Sequence, residues 1–149
     1  MNEEKKNNPI KILLADDDTD DRFFFDKALK EVETLTHLKT VHDGEQLMGY
    51  LSANLENLPD VLFLDLSMPR KTGFECLSEI RENKMFNGIY IVMFSTSYTK
   101  DTIYEQGMIK TLYEIGAQDY IRKPNDLDQL KKAIASALDR MKKNSLIKK

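Results

Sequence analysis

The feature that most limits how this chain can fold is a short apolar run that ends abruptly in a carboxylate. Val61-Leu62-Phe63-Leu64 runs into Asp65, and Pro69 and Gly73 follow soon after. A run of this length between turn signals reads as a strand buried on both faces. Pro69 cannot donate to a ladder and Gly73 tolerates positive φ, so residues 66–73 read as a loop. The same device recurs. Ile10–Ala15 meets Asp16, Asp17 and Asp18; Ile89–Phe94 meets Ser95, Thr96 and Ser97; Asp119–Arg122 meets Lys123 and Pro124. Taken alone, an aspartate after a strand is a turn or capping residue. Four runs that deliver acid, acid, hydroxyl and ammonium at one relative position point instead to a shared edge of a sheet.

The segments between these runs carry helical periodicity. The pattern predicts a first helix from about Thr19 to Val32, capped by Asp18 or Thr19, with Phe24, Ala28 and Val32 inward and Phe23 and Phe25 widening that face. A weak strand follows at His37–Val41, then a helix at about Glu45–Leu55 with Leu47, Met48 and Leu51 inward. Further helices are expected at Phe74–Asn83, within Lys100–Ile115 with Tyr104, Met108, Leu112 and Ile115 in register, and at Asp126–Met141. Gly107 is placed to break the fourth, and Gly116 to end it. Five alternations of strand and helix imply an α/β fold, a parallel sheet covered on both faces. Residues 1–9 read as a disordered lead, 10–142 as the domain and 143–149 as a frayed basic tail, with nothing left for an output domain.

Composition excludes several classes. A net charge of −3 does not suggest nucleic acid or a membrane surface as partner. The polar start and the brevity of each apolar run give no signal peptide and no membrane span, so a cytoplasmic protein is expected. One cysteine, Cys76, rules out an intrachain disulfide and reads as structural.

In the order, residue types and near-spacing of its four motifs, the chain resembles the receiver domain of two-component response regulators, the CheY-like family. The resemblance runs from about Ile10 to Met141 and is nearest the stand-alone receivers similar to phytochrome-partner response regulators. It implies a doubly wound, flavodoxin-like (βα)5 fold with strand order 2-1-3-4-5. The switch point then lies between strands 1 and 3, where ligands bind in such sheets, and brings Asp16, Asp17 and Asp65 together. Three carboxylates in one place repel one another and call for a cation; oxygen-only ligands on an open site suit Mg²⁺ or Mn²⁺. A carboxylate can also act as a nucleophile toward phosphorus.

Carried over residue by residue, the resemblance makes Asp65 the phospho-acceptor. Asp17 becomes the direct metal ligand, Asp16 its partner through water, and Ser67 a backbone-carbonyl ligand. Ser95 matches the switch hydroxyl, Tyr120 the aromatic switch residue, and Lys123 the family's lysine, with a cis Lys123–Pro124 bond expected. Ser97, with Ser67, flanks the path of attacking water. Asp18, Asp20 and Asp21 read as surface or helix-start charges, and His37 and His42 as surface residues. The implied partners are a sensor histidine kinase or histidine phosphotransfer protein, an output protein, and a second copy through the fourth helix, fifth strand and fifth helix.

The interval from Ser95 to Lys123 is about six residues longer than in compact relatives of this kind, with the excess around Tyr104–Thr111. Two other readings stay open. One is a receiver-shaped scaffold that works without phosphate. The other is a Mg²⁺-dependent phosphohydrolase with an aspartate nucleophile, which would need a second acid where Ser67 stands. On the leading reading the chain is no enzyme toward external substrates; it undergoes only self-phosphorylation and slow self-dephosphorylation.

Overall fold

In the computed structural model, residues 8–96 and 102–147 are described. The elements alternate as expected: β1 (Ile10–Ala15), α1 (Thr19–Lys30), β2 (Thr36–Val41), α2 (Gly44–Ala53), β3 (Val61–Asp65) and α3 (Gly73–Glu82), then a 3₁₀ turn at Lys84–Phe86, β4 (Tyr90–Ser95), α4 (Thr102–Ile115), β5 (Asp119–Arg122) and α5 (Leu127–Ile147). All five strands are parallel, in the order β2-β1-β3-β4-β5. The sequence-based order 2-1-3-4-5 is therefore the observed one.

Every residue of β3 and β4 is buried, which explains why these runs are apolar without alternation. Edge strand β2 alternates between half-buried and exposed positions, so its sequence pattern is faint. The sheet separates two cores. On one face, Leu13, Leu62, Leu64, Ile91 and Met93 meet Leu47 and Leu51 of α2, Leu77 and Ile80 of α3, and Leu112 of α4. On the other, Ile12, Leu14, Phe63, Val92 and Phe94 meet Phe25, Ala28 and Leu29 of α1 and Leu130, Ile134 and Leu138 of α5. The rings of Phe25, Phe63 and Phe94 meet edge to face, with centroids 4.9–6.1 Å apart. Fully burying one such side chain contributes about 1.5–3 kcal/mol.

Four local expectations are corrected. The fully buried stripe of α1 is Phe25, Ala28 and Leu29, at i, i+3 and i+4; Phe24 and Val32, the latter past the helix end, are half-buried against the same core, and Phe23 is exposed rather than inward. Gly107 does not break α4, which runs through it without interruption. Its surroundings are open, so the helix loses only propensity there. Tyr104 is exposed and Glu105 is buried in its stead. The fifth helix continues to Ile147, well past Met141, so residues 143–147 are helical rather than frayed. Asp139–Lys143 is an i,i+4 ion pair in that added length.

Helix entry follows cap chemistry. The Asp18 side chain accepts from the Asp21 N–H, and Asp43 accepts from the Gln46 N–H. Thr72 and Glu75 form a reciprocal capping box. Gly116 closes α4 at φ 136°, a conformation that suits glycine, and lies against the Arg81 side chain. Among the described residues no helix is long and apolar enough to cross a membrane.

Candidate functional site

The parallel sheet brings the carboxyl ends of its strands to one edge. Ala15 pairs with Leu64, so Asp16 and Asp65, each one residue further on, become neighbours at the junction of β1 and β3. Carboxylate oxygens of Asp16, Asp17 and Asp65 lie within 4.8 Å of one another. Asp16 is wholly buried, Asp65 is 6% exposed, and Asp17 faces solvent.

Lys123 reaches this cluster from the far side of β4. Its N–H donates to the Ser95 carbonyl at 2.8 Å, which fixes where the side chain starts. The stem then passes over the Phe94 ring, with Nζ 5.4 Å from the centroid. Nζ donates to Asp16 Oδ2 and to Asp21 Oδ2, each at 2.8 Å, and stands 3.5 Å from Asp65 Oδ2. The Lys123–Pro124 bond, expected cis, is trans. Trans is the isomer that an unconstrained X–Pro bond favours by about 0.5–1 kcal/mol.

The loop after Asp65 is folded tightly back on it. The Ser67 N–H donates to Asp65 Oδ1 at 3.2 Å, and the Gly73 N–H to the Leu66 carbonyl at 3.0 Å. A Cβ on Gly73 would stand 2.3 Å from the Asp65 carbonyl oxygen, so only glycine lets α3 start so close to the acid. Within this loop Arg70 adopts φ 70°.

Electrostatics follow from depth. Burial pushes the Asp65 carboxyl up to about 7; Asp16 and Asp17 add to the rise, while Lys123 and the Ser67 N–H oppose it. Burial also raises Asp16, in spite of its bonds from Lys123 and the Asp18 N–H. For Lys123 burial works against the charge, but the bonds to Asp16 and Asp21 prevail and hold the ammonium above its ordinary range. Asp16 lies so deep that one ammonium does not offset its desolvation; that ammonium, shared among acids, stays charged.

Ser95 is buried beside this cluster, its hydroxyl donating to the Thr96 carbonyl at 3.1 Å. Tyr120 lies on β5 opposite Met93, two residues before Ser95 on the same face of the sheet. The Tyr120 hydroxyl donates to Glu105 Oε2 at 3.4 Å, and the other Glu105 oxygen pairs with Arg122. Burial and the nearby Glu105 push the Tyr120 phenol up. Ser67, Ser95, Glu105 and Tyr120 line one cavity of about 350 Å³, closed on its apolar side by Phe74 and Met108.

Of the residues singled out from the sequence, the seven that are described meet at this edge, in two adjoining groups: Asp16, Asp17, Asp65 and Lys123, and Ser67, Ser95 and Tyr120. Two others were missed. Asp21, read as a helix-start charge, is bonded to Lys123; its chain position gave no sign of that. Glu105 had a sign, being the lone charge in the stretch 102–109. Ser97 lies outside the described residues. His37 and His42 are exposed, as expected, and Cys76 is buried, with burial pushing its thiol up to about 12.

A family model described as the response regulator receiver domain matches residues 12–135. The chain belongs to the response regulator receiver domain family. This receiver is 31% identical over 136 residues to the response regulator Rcp1 of Synechocystis, covering 88% of each chain. Among solved structures it resembles the phosphorylated cyanobacterial phytochrome response regulator RcpA, with TM-score 0.71 and 31% identity over 87% of this chain and 91% of that one. The Mn²⁺-bound form of Rcp1 is similar, with TM-score 0.71 and 29% identity over 86% and 91% of the two chains. The receiver's own donor set suits such an ion: three carboxylates converge, all donors are oxygen, and one of the acids is solvent-facing.

Proposed function

We propose that this receiver accepts a phosphoryl group on Asp65 from a sensor histidine kinase or histidine phosphotransfer protein, and that the modified state changes which partner it binds. The observation that carries this reading is the convergence of three carboxylates and one ammonium where β1, β3 and β5 end. An Asp65 oxygen attacks phosphorus. The new O–P bond forms as the bond to the leaving group breaks, and the leaving group departs with the electron pair. A Mg²⁺ ion, or Mn²⁺, held by Asp16, Asp17, Asp65 and the Ser67 carbonyl would supply positive charge to the transferred oxygens. Asp17 would bind the ion directly and Asp16 would act through water. Lys123 supplies the second cation, and Ser95 a hydroxyl donor to a phosphoryl oxygen.

Drawing Ser95 toward that oxygen moves the group it shares with Tyr120, Glu105 and Arg122, and so couples the acceptor to α4 and β5. The readout surface is α4, β5 and α5, toward an output protein or a second copy, in the cytoplasm. Any turnover is loss of the receiver's own phosphate, a timer rather than catalysis on a substrate.

The test is intact mass after treatment with acetyl phosphate, with and without Mg²⁺, on the wild type and Asp65→Asn. A single Mg²⁺-dependent phosphate, absent from the variant, is expected. Labelling that persists in the variant would place the acceptor elsewhere. No labelling under any condition would leave the phosphate-independent scaffold.

A further inference from the structure

We infer that Asp21 is a positioning residue for this site: it holds the Lys123 ammonium on the α1 side of the sheet edge and so governs how readily that ammonium passes to a phosphoryl group. The inference rests on Asp65 being the acceptor. An ammonium has three donor hydrogens. Asp16 and Asp21 each take one at 2.8 Å, whereas Asp65 stands at 3.5 Å, beyond a normal N–H···O bond. The resting lysine is therefore committed to two acids other than the acceptor.

The two holders are not equivalent. Asp16 is wholly buried and has a second bond from the Asp18 N–H, so it is a fixed anchor. Asp21 has a side chain 39% exposed, and its place is set by the first turn of α1. That turn is itself fixed: the Asp21 N–H is bonded to the Asp18 cap at 3.0 Å, and Arg22 donates to the Asp16 carbonyl at 2.7 Å. The carboxylate on this rigid helix start is the one partner that solvent can replace when Lys123 moves.

The transfer step shows what that movement is for. When acetyl phosphate is the donor, an Asp65 oxygen bonds to phosphorus, the P–O bond to acetate breaks, and acetate leaves with the electron pair. The phosphoryl oxygens keep their negative charge and need a donor within reach. Lys123 has one hydrogen left for them, but the ammonium stands 3.5 Å from Asp65 and must shift to bring it within reach; of its two short bonds the one to Asp21 is the less buried and the one that yields. Removing Asp21 frees the ammonium in advance, so phosphoryl transfer becomes faster.

The test measures acetyl phosphate labelling rates at saturating Mg²⁺ for wild type, Asp21→Ala and Asp21→Glu, each with Lys123 and with Lys123→Ala. Asp21→Ala is expected to label about three to ten times faster, the span of one screened charge-assisted hydrogen bond. Asp21→Glu, which restores a carboxylate, should return within about twofold of wild type. In the Lys123→Ala background the effect of Asp21→Ala should vanish, because Asp21 acts through the lysine. An equal acceleration in both backgrounds would mean that Asp21 only repels the anionic donor, and unchanged or slower labelling with Lys123 present would also overturn the inference. If Lys123→Ala labels too slowly to follow, the ¹⁵N resonance of the Lys123 ammonium decides. It should shift and lose exchange protection in Asp21→Ala but not in Asp21→Glu, and an unmoved resonance refutes the positioning role. Failure of wild type to label with phosphate sinks the acceptor reading instead, which keeps the two failures apart.

Discussion

Asp65 is held where its charge is costly, and this has a measurable sign. An unperturbed aspartate titrates near 3.9, whereas burial carries Asp65 to about 7. Between those values the folded protein keeps a proton that the unfolded chain has lost. The stability contributed by Asp65 therefore falls as pH rises through that window, and the penalty is complete above it. In metal-free buffer at pH 8, Asp65→Asn should melt about 5 °C above wild type, and the gap should close toward pH 4. Mg²⁺ should narrow the gap at pH 8 by stabilising only the wild type. A gap independent of pH in thermal melts would show that the carboxyl stays charged throughout. Lys123→Ala has the opposite consequence. It leaves wholly buried Asp16 without its ammonium and should destabilise the metal-free protein by about 3 kcal/mol in urea titrations. With Mg²⁺ it should still take up some phosphate, while the Tyr120 ring signals in NMR respond weakly; a full response would remove the lysine from the switch. Single residues were legible where their place depends on strand ends alone, as for Asp16, Asp65, Ser95 and Lys123. Asp21 was not, because its role depends on how α1 leans over the sheet.

At the scale of elements, strands announced themselves and helix faces did not. β3 and β4 are buried throughout, so their apolar runs are unbroken, whereas α1 has three consecutive phenylalanines and only its rotation about its own axis selects Phe25. Propensity misled at Gly107, where packing on both sides carries the helix through a weak residue. That conflict offers a handle. A Cβ at Gly107 meets nothing within 4 Å, so Gly107→Ala should stabilise the protein by about 0.5–1 kcal/mol without altering phosphate uptake. Chemical denaturation and the labelling assay together check both halves. The extra length expected around Tyr104–Thr111 is interior to α4. It contributes Glu105, the carboxylate that ties this helix to Arg122 and Tyr120 of β5.

For the molecule as a whole, the two cores share one sheet, and each buried apolar strand residue belongs to one core or the other. Leu13→Ala on one face and Phe25→Ala on the other should each cost about 2–5 kcal/mol. Circular dichroism and tyrosine fluorescence should lose signal in one coincident transition, whichever face is weakened. Two separated transitions would mean that the faces melt independently. The strand order was legible only through resemblance, since alternation implies a parallel sheet but does not rank its strands.

The bond from Lys123 to Asp16 spans 107 positions of sequence. On the ribosome, Asp65 and its acidic neighbours emerge long before the lysine that tempers their charge. Until β5 is made and seated beside β4, the acids stand without that ammonium, and a half-made chain lacks a complete charge cluster. The completed cluster is in this way a certificate that synthesis has run through β5.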